Sequence, residues 1–280
     1  MSDRPGSTAV PGAGSRTAAD ALAPWRGRRY VALGSSFASG PGIPPRATGS
    51  ARAAGRSGRN YPHLIAAAAG LRLTDVTSSG ATCAHILHER QYGSPPQRMA
   101  VTPDTDLVTV TIGGNDIGLT AFLIARRMPS PVRLLPAARR SADEAATGRA
   151  LGGIEERLNR VFGTVRDQAP NARLLVVNYL SVLGPPLPGE SPTDRHYRYL
   201  AESLADRTAA AAERAGGQLI DVRTPSLAHA PGSPVPWTSD FFVPVPGRPA
   251  HGTPCHPTAA GMAAVADLVL ARLRTLAPVG

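Results

Sequence analysis

Short apolar runs along the chain predict five β-strands. The run at 107–112 is β-branched, alternates in polarity and stops at two glycines, as a half-buried strand does. The run at 174–180 is almost continuously apolar, which is typical of a strand covered on both faces of a sheet. Shorter runs at 29–33, 71–77 and 218–222 complete the set.

The segments between these runs carry apolar positions at helical spacing. Between 141 and 174, the residues Ile154, Leu158, Val161 and Val165 recur on one helical face. Further helices are predicted from 61, capped by Asn60, and over 195–214 and 258–273. The strand and helix alternation predicts one doubly wound, mostly parallel α/β domain over 29–280, preceded by a flexible tail over 1–28.

The composition shows a large excess of basic over acidic residues, but this excess does not indicate a nucleic-acid-binding function. The chain has 280 residues, of which 30 are basic and 20 acidic, a formal net charge of +10, and every one of the 30 is arginine. The arginines are scattered, and neither an aromatic-rich RNA-binding motif nor zinc-finger spacing accompanies them. We therefore expect no specific nucleic-acid partner. No apolar run reaches the roughly 20 residues that a transmembrane helix needs.

Cellular compartment and assembly are predicted from what the sequence lacks. No secretory signal pattern is visible at the start of the chain. The two cysteines, Cys83 and Cys255, cannot build a disulfide framework, which fits a reducing compartment. These features predict a cytoplasmic protein, and we expect it to be a monomer.

Candidate chemistry lies where the predicted strands end, since the carboxyl ends of parallel strands hold the ligand sites of α/β sheets. Gly34-Ser35-Ser36 follows the first strand and presents a serine on a tight turn. Gly113-Gly114-Asn115-Asp116 follows the third, and the Asn115 amide can donate to a developing oxyanion. His256 precedes the last helix and can serve as a general base near neutral pH.

Four blocks, at 30–40, 79–82, 111–117 and 255–261, resemble in order and spacing the conserved blocks of the SGNH (GDSL-type) hydrolases, especially actinobacterial esterases and lipases. The resemblance covers about residues 29–274. It implies a flavodoxin-like α/β/α sandwich and a serine esterase acting on a small ester or acyl substrate without metal or organic cofactor. It also implies Ser36 as nucleophile, His256 as base, and an oxyanion hole formed by the Ser36 and Gly80 N–H groups and the Asn115 side chain.

The chain departs from this family's pattern at two positions. The first block usually reads Gly-Asp-Ser, and here Ser35 replaces the aspartate; the last usually reads Asp-x-x-His, and here Thr253 replaces the aspartate. Because a general-base histidine needs an acceptor for its second N–H, we predict a Ser-His dyad held by the Thr253 backbone carbonyl. Asp240 is the alternative carboxylate.

Three other functions stay open at this point. Serine and histidine chemistry does not distinguish water from another acyl acceptor, so an acyltransferase or a carrier-protein thioesterase is an alternative. The missing aspartates also allow a non-catalytic binding module. A zinc site of Cys83, His85, Cys255 and His256 is disfavoured because the ligand spacings are wrong.

Substrate preference would be set by loops that have no predictable shape, namely those at 46–59, 128–140 and 228–252.

Overall fold

The computed structural model describes residues 20–243 and 252–279. Its sheet has five parallel strands in the order β2-β1-β3-β4-β5, namely β1 Arg29–Gly34, β2 Arg72–Asp75, β3 Leu107–Thr111, β4 Arg173–Val177 and β5 Gln218–Ile220. This is the flavodoxin-like strand order. The predicted α/β fold with a five-stranded, mostly parallel sheet is confirmed.

Eleven α-helices are present among the described residues, several of them only one turn long. They are α1 Ser36–Ser39, α2 Tyr61–Ala69, α3 Cys83–Leu87, α4 Leu119–Arg127, α5 Ser130–Arg133, α6 Pro136–Ser141, α7 Glu144–Gly152, α8 Ile154–Gln168, α9 Pro192–Arg214, α10 Arg223–Ser226 and α11 Ala259–Arg274. Short 3-10 turns lie at Asp20–Trp25, Arg52–Ala54, Gln97–Ala100 and Leu227–His229. None of the helices described is long and apolar enough to cross a membrane.

The helices form two groups around the sheet. Helix α2 packs against α11 and β2, and the turn Asp20–Trp25 packs against both helices. In the other group α8 and α9 pack against each other, with α3 on α8 and α4 on α9. Helices on both faces cover the centre of the sheet, which explains why all five residues of β3 are buried, whereas the edge strand β2 has no buried residue.

Two threonines of β3 are polar groups inside this core, and tyrosine hydroxyls pair with both. The Tyr30 hydroxyl lies 2.8 Å from Thr109 Oγ1, and the Tyr61 hydroxyl lies 2.9 Å from Thr111 Oγ1. A buried hydroxyl without a partner destabilises the fold, so each pair stabilises its threonine within the sheet. These contacts hold β1 and α2 against the central strand that leads to the Gly-Gly-Asn loop.

The predicted boundary between tail and domain is too late. Trp25 is fully buried, and its indole N–H donates to the Leu273 carbonyl at 3.1 Å. Leu22 is buried in the same core. Residues 20–28 therefore belong to the folded domain because their apolar side chains cover α2 and α11. The rest of the predicted tail, residues 1–19, lies outside the described residues.

Candidate active site

The predicted nucleophile and the predicted base lie in hydrogen-bond contact. Ser36 is buried and opens α1 directly after β1, while His256 lies 220 residues later, before α11. The distance from Ser36 Oγ to His256 Nε2 is 3.0 Å. This spacing allows the imidazole to take the serine proton as the oxygen attacks a carbonyl carbon.

The second ring nitrogen of His256 is held by a backbone carbonyl, one residue later than predicted. His256 Nδ1 lies 2.7 Å from the Pro254 carbonyl oxygen. Cys255, between them, has φ +55°, and this left-handed turn folds the Pro254 carbonyl back toward the ring. The Thr253 carbonyl instead accepts from Ser239 Oγ at 2.6 Å, so the Thr253 prediction is corrected to Pro254.

The alternative carboxylate, Asp240, does not face the histidine ring. Its side chain is 71% exposed and pairs with Arg127 at 3.3 Å. Its backbone carbonyl accepts from the Cys255 N–H, so it supports the loop next to His256 through the main chain. A carbonyl acceptor fixes the imidazole tautomer but supplies no full negative charge to stabilise an imidazolium.

Burial lowers the pKa of His256 below its usual value of 6.5, and the Pro254 hydrogen bond opposes part of that effect. The Nδ1–H is donated to Pro254, so Nε2 carries the lone pair toward Ser36. A neutral imidazole in this tautomer is the form that a general base requires.

The loops that carry two of the predicted oxyanion donors, Gly80 and Asn115, are joined by hydrogen bonds. The Asn115 side-chain amide donates to the Ala81 carbonyl at 2.8 Å, which leaves its second N–H free to face a substrate. The neighbouring Asp116 carboxylate accepts from the Cys83 N–H at 3.1 Å. These two bonds join the loop of Gly80 to the loop of Asn115. Within the described chain, the N–H groups of Ser36 and Gly80 donate to no protein acceptor.

One hydroxyl that sequence reasoning missed bridges the nucleophile loop and the oxyanion loop. The Gly114 N–H donates to the Tyr179 hydroxyl at 2.9 Å, and Ser35 Oγ lies 3.0 Å from the same hydroxyl. A Cβ at position 114 would lie 2.8 Å from the tyrosine ring, so only glycine fits there. Tyr179 follows the end of β4, and the rule that strand ends form the site could have identified it.

Phe37 connects this bridge to the histidine. Its ring centroid lies 4.9 Å from that of Tyr179 and 5.4 Å from that of His256. The residue following the nucleophile therefore packs between the bridging tyrosine and the base. Contacts of this kind limit the rotamers of both rings.

A second missed residue, Gln97, holds the strand end that precedes the nucleophile. Its side-chain carbonyl accepts from the Gly34 N–H at 2.8 Å, and its amide donates to the Gly34 carbonyl at 3.1 Å. Because β2 ends at Asp75, the Gln97 amide replaces strand pairing at this position. The turn before Ser36 is thus fixed by side chains on two sides, Gln97 and Tyr179.

The remaining candidate groups of the sequence serve structural roles here. Both cysteines are free and buried, and burial raises the pKa of the Cys255 thiol to about 11. A protonated thiol is a poor nucleophile, so Cys255 does not compete with Ser36. Within ranges 20–243 and 252–279, no group of three histidine, cysteine or acidic side chains is placed to hold a metal ion.

The sheet brings a serine, a histidine and N–H donors without protein acceptors to its carboxyl edge, an arrangement typical of α/β hydrolases that act through an acyl-enzyme. Residues 32–264 match the GDSL-like Lipase/Acylhydrolase family, and the chain belongs to that family. A curated relative, Lipase 2 of Streptomyces coelicolor, is 31% identical over 263 residues, covering 85% of this chain and 83% of the relative. The predicted family and enzyme class are confirmed.

Solved structures agree with the fold. The extracellular lipase of Streptomyces rimosus superposes with a TM-score of 0.69 at 27% identity, covering 88% of this chain and 98% of the lipase. Phospholipase A1 of Streptomyces albidoflavus gives a TM-score of 0.68 at 24% identity, covering 89% of this chain and 99% of the phospholipase. At that identity the second likeness concerns the fold alone.

The prediction of a cytoplasmic protein is wrong. It rested on two observations: no secretory signal pattern was visible, and the chain has only two cysteines. The S. rimosus relative, however, is an extracellular lipase. Two free, buried cysteines pack as small apolar side chains and fit an oxidising compartment equally well. Cysteine scarcity was therefore a poor guide to compartment.

Proposed function

We propose that the chain hydrolyses lipid-type carboxylic esters through an acyl-enzyme on Ser36. The observation that carries the proposal is the 3.0 Å contact between Ser36 Oγ and His256 Nε2, together with the Pro254 carbonyl on Nδ1. The lipases of S. coelicolor and S. rimosus among the relatives support an ester with an acyl chain as the substrate class.

In the first half-reaction, His256 Nε2 takes the Ser36 proton while Oγ forms a bond to the ester carbonyl carbon. The carbonyl electrons move onto oxygen, where the N–H groups of Ser36, Gly80 and Asn115 donate to the oxyanion. Loss of one such donor typically lowers kcat by about 100-fold to 1000-fold. The imidazolium then donates its proton to the leaving alkoxide as the ester C–O bond breaks, which leaves Ser36 acylated.

The second half-reaction repeats these steps with water. His256 takes a proton from water as the water oxygen attacks the carbonyl carbon of the acyl-enzyme, and the same three donors stabilise the oxyanion. Collapse releases the carboxylic acid and returns the proton to Ser36. The Pro254 carbonyl keeps the ring in place throughout, and without a carboxylate the imidazolium gains less stabilisation than it would in a full triad.

The test measures hydrolysis of p-nitrophenyl butyrate and octanoate by the parent enzyme and two site variants. Ser36→Ala and His256→Ala should each lower kcat by at least about 1000-fold, because the nucleophile and its base act together and the loss of either one disables the pair. Ser50→Ala and His229→Ala are the matched controls. Ser50 Oγ donates to the Ala47 carbonyl at 2.9 Å and the His229 ring stacks on Trp237 at 4.2 Å, so both variants should keep parental kcat. Hydrolysis that survives Ser36→Ala in a folded protein contradicts the proposal.

A competing alcohol separates the hydrolase from the acyltransferase. Free carboxylic acid should be the main product in water containing a moderate concentration of methanol, with the methyl ester as a minor product. Formation of ester with no free acid would show that the acyl-enzyme excludes water. Parent enzyme that hydrolyses neither substrate, with the fold intact, would favour the binding module.

A further inference from the structure

An exposed arm joins α4 to α7 and has no role in the site described above. It consists of residues 128–141 and contains α5 and α6, neither of which has a buried residue. Leu134 is 72% exposed, Leu135 is 56% exposed and Val132 is 37% exposed, and all three lie within four consecutive positions. A run of large apolar side chains in water marks an interaction surface.

The same arm is strongly basic. Residues 128–141 contain three arginines and no acidic residue, and Arg126 and Arg127 come directly before them. Arg126 pairs with Glu144, and Arg127 pairs with acidic side chains elsewhere. The other three arginines, Arg133, Arg139 and Arg140, take part in no ion pair among the described residues, so their charge is available to a partner.

The base of the arm is joined to the loop that carries the catalytic base. The Arg127 guanidinium lies 3.1 Å from Asp194 at the start of α9 and 3.3 Å from Asp240. The Asp240 carbonyl accepts from the N–H of Cys255, the residue before His256. The arm begins at the residue after Arg127, so its base lies next to the loop that carries His256.

We propose that residues 128–141 dock the enzyme on an anionic lipid–water interface, an inference that rests on the proposed lipid-ester hydrolysis. Leu134, Leu135 and Val132 would enter the acyl boundary, while Arg133, Arg139 and Arg140 would lie at the level of negatively charged headgroups. A second copy of the chain is a poor occupant because two copies of this surface would bring their unpaired arginines together. Charge complementarity therefore selects the anionic lipid surface.

The experiment measures binding to vesicles in a Ser36→Ala background, so that lipid is not consumed and binding is separated from hydrolysis. Vesicles of equal phosphatidylglycerol and phosphatidylcholine are compared with pure phosphatidylcholine by cosedimentation. The protein should bind the anionic vesicles at least about tenfold more tightly, and added salt should weaken that binding. Leu134→Ser with Leu135→Ser should lower the partition coefficient about 30-fold.

Replacing Arg133, Arg139 and Arg140 together with serine should remove the preference for anionic vesicles. Met99→Ser is the matched control: Met99 is 58% exposed but lies in the turn Gln97–Ala100, which packs on β1, and its loss should leave binding unchanged. With Ser36 intact, all arm variants should hydrolyse soluble p-nitrophenyl acetate at the parental rate.

Four results would overturn this inference. The leucine double variant could bind vesicles as tightly as the parent, or Met99→Ser could lose binding to the same extent. Soluble-ester hydrolysis could fall in the arm variants, which would place the arm in the site or the fold. Sedimentation could show a dimer that the leucine substitutions dissociate, which would make a second copy the occupant. Failure of the parent to hydrolyse any ester, with vesicle binding intact, would count against the proposed function alone.

Discussion

Replacing Tyr179 with phenylalanine removes one hydroxyl and leaves in place the ring that packs against Phe37. That hydroxyl accepts from the Gly114 N–H at 2.9 Å and pairs with Ser35 Oγ at 3.0 Å. Burial raises the pKa of Tyr179 well above its ordinary value, so the hydroxyl stays protonated across the working pH range. The substitution therefore cuts the link between the nucleophile loop and the oxyanion loop at any such pH.

The expected magnitude follows from what is left unpaired. A buried N–H without an acceptor costs about 1–3 kcal/mol, so the free energy of unfolding should fall by that amount. Asn115, the next residue, keeps its bond to the Ala81 carbonyl and is displaced rather than removed. We expect kcat to fall about tenfold, or about 1.4 kcal/mol in activation free energy, which is less than the loss of a whole donor. KM should change little.

The assay combines urea unfolding with steady-state kinetics on p-nitrophenyl butyrate. Tyr30→Phe is the matched control because the Tyr30 hydroxyl also pairs with a buried hydroxyl, Thr109 Oγ1 at 2.8 Å. Tyr30 is the second residue of β1, whereas Ser36 follows the other end of that strand. It should lose stability of the same order and keep parental kcat. A double-mutant cycle of Ser35→Ala with Tyr179→Phe should show coupling, since the two hydroxyls share one bond.

Either of two outcomes refutes the proposed role of the Tyr179 hydroxyl. If Tyr179→Phe loses stability as Tyr30→Phe does and keeps kcat within about twofold of the parent, the hydroxyl stabilises the fold without positioning the oxyanion loop. Parental stability together with parental kcat would show that the bridge contributes nothing measurable. Either outcome would also show that the contact between Ser35 and Tyr179 does not position the oxyanion loop.

Three further predictions concern the dyad and the strand end. Because burial lowers the pKa of His256, kcat/KM should rise to its plateau with an apparent pKa below 6.5; a rising limb centred above 7 would contradict the assigned environment. Asp240→Ala breaks an exposed ion pair with Arg127 and a hydrogen bond from the Phe241 N–H, and it should leave kcat within about twofold, whereas a hundredfold loss would make Asp240 the histidine's partner. Gln97→Leu leaves the Gly34 N–H without its acceptor and should lower the free energy of unfolding by about 1–3 kcal/mol in urea titration, with parental stability as the contrary result.

The main elements of the fold were predictable because apolar periodicity reports burial directly. The stripe of Ile154, Leu158, Val161 and Val165 is buried in α8, and the Asn60 cap is present, accepting from the His63 N–H at 3.1 Å. Strand ends were less predictable. The apolar run at 174–180 predicted a longer strand, but β4 ends at Val177, and the Asn178 side chain accepts from the Val222 and Arg223 N–H groups. A polar residue that satisfies loop backbone is not distinguished from a strand residue by periodicity.

The site was partly predictable for a related reason. The blocks shared with the family identified Ser36 and His256, and Ser36 lies at the edge of the sheet where parallel strands end. The acceptor for Nδ1 depended on the left-handed turn at Cys255, and spacing alone does not show which carbonyl such a turn presents. The position of Tyr179 after a strand could have marked it as a site residue, but its partner Gly114 lies 65 residues away, and Gln97 lies 63 residues from Gly34; a single sequence does not reveal such pairings.

The central claim is that Ser36 is the nucleophile and His256 its base, and covalent labelling tests it most directly. Incubation with a p-nitrophenyl alkylphosphonate should add one phosphonyl group to the intact protein, and peptide mapping should place it on Ser36. Ser36→Ala should take up no label, and His256→Ala should label much more slowly because Oγ then lacks its proton acceptor. A label on any other residue, or full labelling of Ser36→Ala, would contradict the account.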